Sequence, residues 1–154
     1  MLYRKASLED IDQLAKMRWE FKTESETDTP VWKKDDFINS CKSFYANMLE
    51  SNDKWLCWVV ENESEIIAHV FIYIIDNIPT PEKTINKWGY LTNTFTKKSY
   101  RGKGLGSQLM QYAIAEAKSM NIETMIVWPS EKSIEFYKRA GFNNTSDIME
   151  RSFH

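Results

Sequence analysis

The sequence predicts one mixed α/β domain, and three observations carry that reading. The chain has 154 residues, 42% of them apolar and 14% aromatic; that is enough for one domain with its own core and too aromatic for a disordered chain. Apolar residues recur with strand and helix periods in the order β-α-α-β-β-β-α-β-α-β-β, which is not a regular βαβ repeat. Finally, three of the five glycines, Gly102, Gly104 and Gly106, fall within five residues, where a strand pattern gives way to a helix pattern.

Leu2 to Lys5 reads as a short strand. Ser7-Leu8-Glu9-Asp10 resembles a capping box, with Asp in place of the usual Glu or Gln. Ile11, Leu14, Ala15, Arg18 and Trp19 follow at helical spacing, so a first helix is expected from about Leu8 to Phe21. Glu24 to Pro30 is an acidic, helix-breaking loop. Phe37, Cys41, Phe44, Tyr45, Met48 and Leu49 share one face of a second helix over Lys34 to Leu49. Trp55 to Val60 and Ile66 to Ile75, joined by the polar turn Asn62-Glu63-Ser64, read as an antiparallel hairpin. Asn77 to Lys87, with Pro79 and Pro81, is a loop, and Trp88 to Thr96 is a fourth strand. Leu105, Leu109, Ala113, Ile114, Ala117 and Met120 mark an amphipathic helix from about Gly104 to Met120. Thr124 to Val127 is a buried strand, and Ile134 to Arg139 a short helix stopped by Gly141. Phe142 and Ile148 to Phe153 suggest two final strands.

Lys plus Arg number 20 and Asp plus Glu 22, a net charge of −2. A duplex-DNA binder carries a basic excess, so no nucleic-acid partner is expected of the whole chain. The basic run from Lys97 to Lys103, with its neighbouring aromatics, keeps single-stranded nucleic acid as an alternative. Cys41 and Cys57 have no His or Cys at ligand spacing; they read as buried thiols in a reducing compartment, and no metal site is expected. Residues Met1 to Asp10 lack an apolar signal region. The longest apolar run, Ile66 to Ile75, covers ten residues, where a membrane helix needs about 20. The expectation is a cytoplasmic protein with no membrane segment.

The chemistry concentrates in Tyr100-Arg101-Gly102-Lys103-Gly104-Leu105-Gly106-Ser107. A helix N-terminus offers unpaired N–H donors and about half a unit of positive charge. Glycines let the backbone turn with positive φ and approach a ligand closely. Lys97, Lys98, Arg101 and Lys103 add positive charge. Strand, basic glycine turn and helix form an arrangement that holds a polyphosphate. The P-loop pattern is absent, and the dinucleotide fingerprint would need Gly where Ser107 stands. A purely structural strand-to-helix turn is the alternative.

The arrangement Arg101-x-x-Gly104-x-Gly106 resembles the pyrophosphate loop of the GNAT-type N-acetyltransferases, which grip coenzyme A. Two more stretches resemble that family in register. Ser133-Ile134-Glu135-Phe136-Tyr137-Lys138-Arg139-Ala140-Gly141-Phe142 is similar to its C-terminal aromatic-Tyr-x-x-x-Gly-Phe motif, and Asn93 to Tyr100 is similar to its fourth strand and the exit from it. The resemblance implies the GNAT acyl-CoA acyltransferase fold over residues 1–154: a single mixed, mostly antiparallel sheet flanked by helices, with splayed fourth and fifth strands and acetyl-CoA in the gap. It implies that the backbone of Phe95 and Thr96 pairs with the pantetheine arm. Amides of Arg101, Gly102, Lys103, Gly104, Gly106 and Ser107 would hold the pyrophosphate, and Ser133 would help hold the pantetheine. Tyr137 would be the general acid facing the thioester sulfur; taken alone, it reads as a packing aromatic. A homodimer is expected only because dimers are common in the family.

Two departures stand out. Ser130 occupies a position where many relatives have Asn. The stretch Trp88 to Thr96 has no Asp or Glu to act as a base, which leaves His69, a water held by Asn93, or a water chain. The acceptor side carries Glu24, Glu26 and Asp28 followed by Trp32, either a rim suited to a cationic amine or a solvated acidic loop. The resemblance thus implies direct transfer of an acetyl group to a small primary amine. The alternative is a non-catalytic CoA-binding sensor or interaction module on the same fold.

Overall fold

The computed structural model describes residues 1–25, 30–51, 53–145 and 147–153. Its elements are β1 (Leu2–Lys5), α1 (Ile11–Lys22), α2 (Lys34–Glu50), β2 (Trp55–Asn62), β3 (Glu65–Asp76), β4 (Lys87–Thr96), α3 (Leu105–Ser119), β5 (Ile122–Val127) and α4 (Ile134–Arg139). The strands form one sheet in the order β1-β2-β3-β4-β5. The first three pairings are antiparallel and β4–β5 is parallel. A parallel join needs a crossover, and α3 supplies it. The expected mixed, mostly antiparallel sheet flanked by helices is therefore present.

β3 shows why the sheet is covered on both sides. Ile66 through Ile72 are each at most 1% exposed, so both faces of the strand are buried and its sequence reads as a continuous apolar run rather than an alternation. On one face Leu105, Leu109, Met110 and Ala113 of α3 pack against Val60, Ile67, Ile72 and Leu91. On the other, Leu14 and Met17 of α1 and Ile38, Tyr45 and Met48 of α2 pack against Val59, Ile66 and Phe71. Full burial of one such side chain stabilises by about 1.5–3 kcal/mol. The β2–β3 hairpin turns on Glu63 and Ser64, both at positive φ (50° and 66°), the backbone of a two-residue primed turn without its usual glycine.

The N-terminal signal holds, in modified form. Leu8–Asp10 is a 3-10 turn leading into α1. The Asp10 carboxylate accepts the Ser7 N–H at 2.8 Å, and Arg4 donates to both its oxygens at 2.8 Å. Arg4 also donates to Glu61 at 2.7 Å, so β1, β2 and the start of α1 are tied together.

Three readings are corrected. No final strands form among the described residues. Gly141 (φ 97°) donates its N–H to the Lys138 carbonyl, and Phe142 donates to that of Tyr137. This pair closes α4 as a Schellman motif, so Phe142 is spent on capping and not on a ladder. Among the described residues the segment from Ile148 onwards bonds only locally, with Met149 and Phe153 at 95% and 81% exposure. Of the two free thiols, Cys57 is buried but Cys41 is only half-buried. Among the described residues no helix is long and apolar enough to cross a membrane.

Burial alone would raise the Asp10 carboxyl, but the hydrogen bonds from Arg4 and Ser7 outweigh it and hold the carboxyl below its ordinary value. Replacing the partner, Arg4→Met, strands a buried carboxylate. The expected loss is about 2–4 kcal/mol of unfolding free energy at pH 7, read from urea denaturation.

Candidate active site

β4 is where the fold opens a site. Its register with β3 shifts between His69 and Phe71, and Asn93 stands at φ 50°, a left-handed conformation that Asn tolerates better than most residues. Such a bulge bends a strand and re-aims its side chains. Pairing with β5 ends at Leu91 opposite Val127. Beyond that point β4 keeps β3 on one side and, among the described residues, has no strand on the other. Thr92 and Asn93 then line a cavity under α1 and α2, while Thr94, Phe95 and Thr96 line a cleft toward α3 and α4.

The bulge is fastened from three directions. The Asn93 carbonyl lies 2.6 Å from Nδ1 of His69; a carbonyl only accepts, so Nδ1 carries the proton. Arg18 donates to Oδ1 of Asn93 at 3.1 Å, and Nδ2 of Asn93 donates to the Tyr45 hydroxyl at 3.2 Å. His69 is wholly buried. Burial pushes its pKa down to about 4, with the Arg18 charge acting in the same direction and the Asn93 hydrogen bond against it. The ring is therefore neutral near pH 7 and lines neither cavity.

The cleft has a volume of about 480 Å³. It brings together Phe95, Thr96, Arg101, Gly102, Gly104, Gly106, Ser107, Ser133 and Tyr137, nine of the ten expected residues. The tenth, Lys103, lies outside it, with its ammonium 5.2 Å from the centre of the Tyr100 ring. Gly102 and Gly104 stand at φ 74° and 75°, and an added Cβ on either would meet nothing within 4 Å. Their surroundings are open, so it is the backbone conformation that calls for glycine there. Gly106 serves differently: a Cβ there would sit 3.3 Å from Oγ1 of Thr96 and 3.5 Å from the Phe136 ring. Its bareness lets the helix start against the end of β4. The first bond of α3 runs from the Gln108 N–H to the Gly104 carbonyl, so helix geometry leaves the N–H groups of Leu105, Gly106 and Ser107 without helical acceptors.

Side chains around this turn are largely committed. Arg101 donates Nε to the Thr96 carbonyl at 2.8 Å, pairs with Glu24 and lies 5.3 Å from the Phe95 ring centre. Lys97 pairs with Glu65 at 2.5 Å. Ser133 bonds back to the Ser130 carbonyl at 2.9 Å, and the two hydroxyls lie 3.1 Å apart. Tyr137 is 8% exposed, held edge-on between Phe136 and Phe142. Burial raises its phenol above 10, with the neighbouring Thr94 hydroxyl offsetting part of the rise. Oγ1 of Thr94 is buried and makes no hydrogen bond among the described residues. Sequence reasoning missed Thr94, Lys132, Phe136 and Arg139, all of which line the cleft. Arg139 was legible in principle, within the aromatic-Tyr motif; Lys132 had no signal.

The sequence matches the Acetyltransferase (GNAT) family over residues 11–142. The chain belongs to the GNAT acetyltransferase family. Among solved structures, a predicted acetyltransferase from Clostridium acetobutylicum, solved with acetyl-CoA, is 29% identical with a TM-score of 0.82, over 98% of this chain and 95% of that one. A GCN5-related N-acetyltransferase from Ralstonia eutropha JMP134 shares the GNAT fold at 21% identity and a TM-score of 0.73, over 98% and 97%. Glucosamine-6-phosphate N-acetyltransferase from Arabidopsis thaliana shares it at 21% identity and 0.68, over 99% and 98%. No curated protein matches the chain.

Of the three acids of the loop beside this GNAT site, only Glu24 lies among the described residues. Glu24 pairs with Arg101. Glu26 and Asp28 lie outside the described residues, and Trp32 lines a separate small cavity with Trp19 and Phe37. No cluster of three metal-ligating side chains occurs among the described residues.

His69 also makes the fold sensitive to acid. Its folded pKa lies below the value of 6.5 for a free histidine. Its contribution to stability is therefore complete above pH 6.5 and is lost as pH falls toward about 4. The expected loss across that window is about 3 kcal/mol. Urea unfolding at pH 7 and pH 4 reads it, and the His69→Gln variant shows a smaller drop.

Proposed function

We propose that this chain transfers the acetyl group of acetyl-CoA directly to a primary amine of a small molecule. The observation that carries the reading is the cleft itself, which sets open glycine backbone, a helix N-terminus, the unpaired side of β4 and the Tyr137 phenol around one space. The residues present suit the co-substrate. Diphosphate would take the amides of Gly102 to Ser107, with Lys132 and Arg139 beside the cleft; an N–H bond to a charged acceptor is worth about 1.5–3 kcal/mol. The buried Thr94 hydroxyl, beside the Tyr137 phenol, offers a polar contact for the pantetheine arm. The Thr96 carbonyl accepts from Arg101 and so points away from β3, whereas Phe95 stands opposite His69 in the ladder.

Acetyl-CoA supplies an activated thioester. In the transfer the amine nitrogen forms a bond to the acyl carbon as the carbon–sulfur bond breaks. Tyr137 gives its phenolic proton to the departing sulfur and regains one from solvent. The amine proton passes to water, because neither cavity is lined by an Asp or Glu and His69 is sealed behind the bulge. Neither cysteine is needed: Cys57 is buried, with its thiol pushed up to about 12.

Calorimetry with CoA and thiol release across an amine panel test the reading. Tyr137→Phe is expected to lower kcat by about 10²–10⁴-fold and to retain CoA binding. Burial raises the phenol from its ordinary value, so it stays protonated at neutral pH and the Tyr137 acid imposes no loss of rate there. Unchanged kcat in that variant would remove the acid role. CoA binding without turnover on any amine would leave a CoA-binding module in place of an enzyme.

A further inference from the structure

The geometry points to the cavity under α1 and α2 as the acceptor subsite, built for an α-amino acid with an aromatic or large apolar side chain. This rests on the acetyltransferase reading above and specifies its acceptor. The cavity has a volume of about 590 Å³. Phe37, Phe44, Tyr45, Trp55 and Tyr90 give it aromatic walls. The walls brace one another: Phe44 meets Trp55 edge-on at 6.0 Å and 85°, and Phe71 meets Tyr45 at 5.4 Å and 78°. A planar apolar group fits such a box, and edge-to-face contacts add about 0.5–1.5 kcal/mol per pair beyond burial.

Charge sets the rest of the ligand. Arg18 lines the same cavity, and its one hydrogen bond among the described residues goes to a neutral amide, Oδ1 of Asn93. It has no carboxylate partner among the described residues, and no acidic side chain lines the cavity. Its field is felt by its neighbours, lowering the pKa of Tyr45, Cys41 and His69 against or alongside their burial. A half-buried guanidinium presents a planar fork of donors that matches a carboxylate. The same charge repels a polyamine, the acceptor that an acidic rim would have suited.

Position joins the two. Arg18 is bonded to Asn93, and the next residue, Thr94, already lines the CoA cleft. A carboxylate on Arg18 sets an amine on the adjacent carbon at the junction of the two cavities. The side chain then turns into the aromatic box.

The test uses the full chain with L-phenylalanine, phenethylamine and spermidine, by thiol release with acetyl-CoA and by quenching of tryptophan fluorescence without it. Phenylalanine is expected to exceed phenethylamine in kcat/KM by about 10- to 100-fold, the range of a charge-assisted hydrogen bond. In Arg18→Met that ratio falls toward one, and in Arg18→Lys it lies between. Unfolding midpoints confirm that both variants fold. Preference for spermidine or phenethylamine, or a ratio unmoved by Arg18→Met, overturns the inference while leaving the transferase intact. Saturable quenching by phenylalanine that weakens in Arg18→Met, without turnover, upholds the subsite and removes the transferase.

Discussion

The His69–Asn93 hydrogen bond is the constraint on which the molecule's useful geometry depends. A neutral, fully buried imidazole donates to the carbonyl of a residue in left-handed conformation, 2.6 Å away. That conformation costs an L-residue roughly 1–2 kcal/mol, and it persists because the side chains of Arg18 and Tyr45 hold Asn93 from the other side. Pairing with β5 stops where β5 itself ends, at Val127 opposite Leu91, and the bulge falls just beyond that point. One strand, β4, supplies wall residues to both cavities, Thr92 and Asn93 to one and Thr94 to Thr96 to the other. His69 therefore matters as a strut, and the same burial that suits it to that task removes it from proton transfer.

The electrostatics of the glycine turn follow a different logic from its sequence. Counted as letters, Lys97, Lys98, Arg101 and Lys103 make a cationic patch. In the fold, Lys97 and Arg101 are paired with carboxylates and Lys103 lies on a tyrosine ring. Exposed pairs of this kind contribute little to stability, but they do reduce the net field at the turn. Attraction for an anion then falls mainly to backbone N–H groups, which cannot be neutralised by a neighbour and are oriented before a ligand arrives. Arg101 acts here as a tether, closing Thr96 and Glu24 onto the loop.

What the sequence made legible divides along physical lines. Local signals read correctly: the Gly104 helix start, the Gly141 stop and the polar turn at Asn62 to Ser64 are each decided within a few residues. The three glycines marked the cleft because φ and close approach are properties of single positions. The two final strands failed because a β pattern needs a partner edge, and Phe142 was claimed by the helix cap before it. The cavity under α1 and α2 was invisible for a related reason. Its walls come from α1, α2, β2, β3 and β4, and only tertiary packing shows that Arg18, by periodicity one more helical residue, faces Asn93.

The missing carboxylate on β4 takes on a different meaning once Arg18 is placed. A base is needed because a free amine near pKa 10 is almost wholly protonated at pH 7. A positive charge close to a bound ammonium disfavours its charged form and lowers that pKa. The cavity's low polarity acts in the same direction, as burial lowers the pKa of a cation. In the proposed reaction, then, Arg18 would have two consequences from one charge: it anchors the carboxylate of the acceptor and it makes the adjacent amine easier to deprotonate by water. The acceptor's own carboxylate offsets part of that second effect. The balance therefore depends on how fully the guanidinium and the carboxylate would pair.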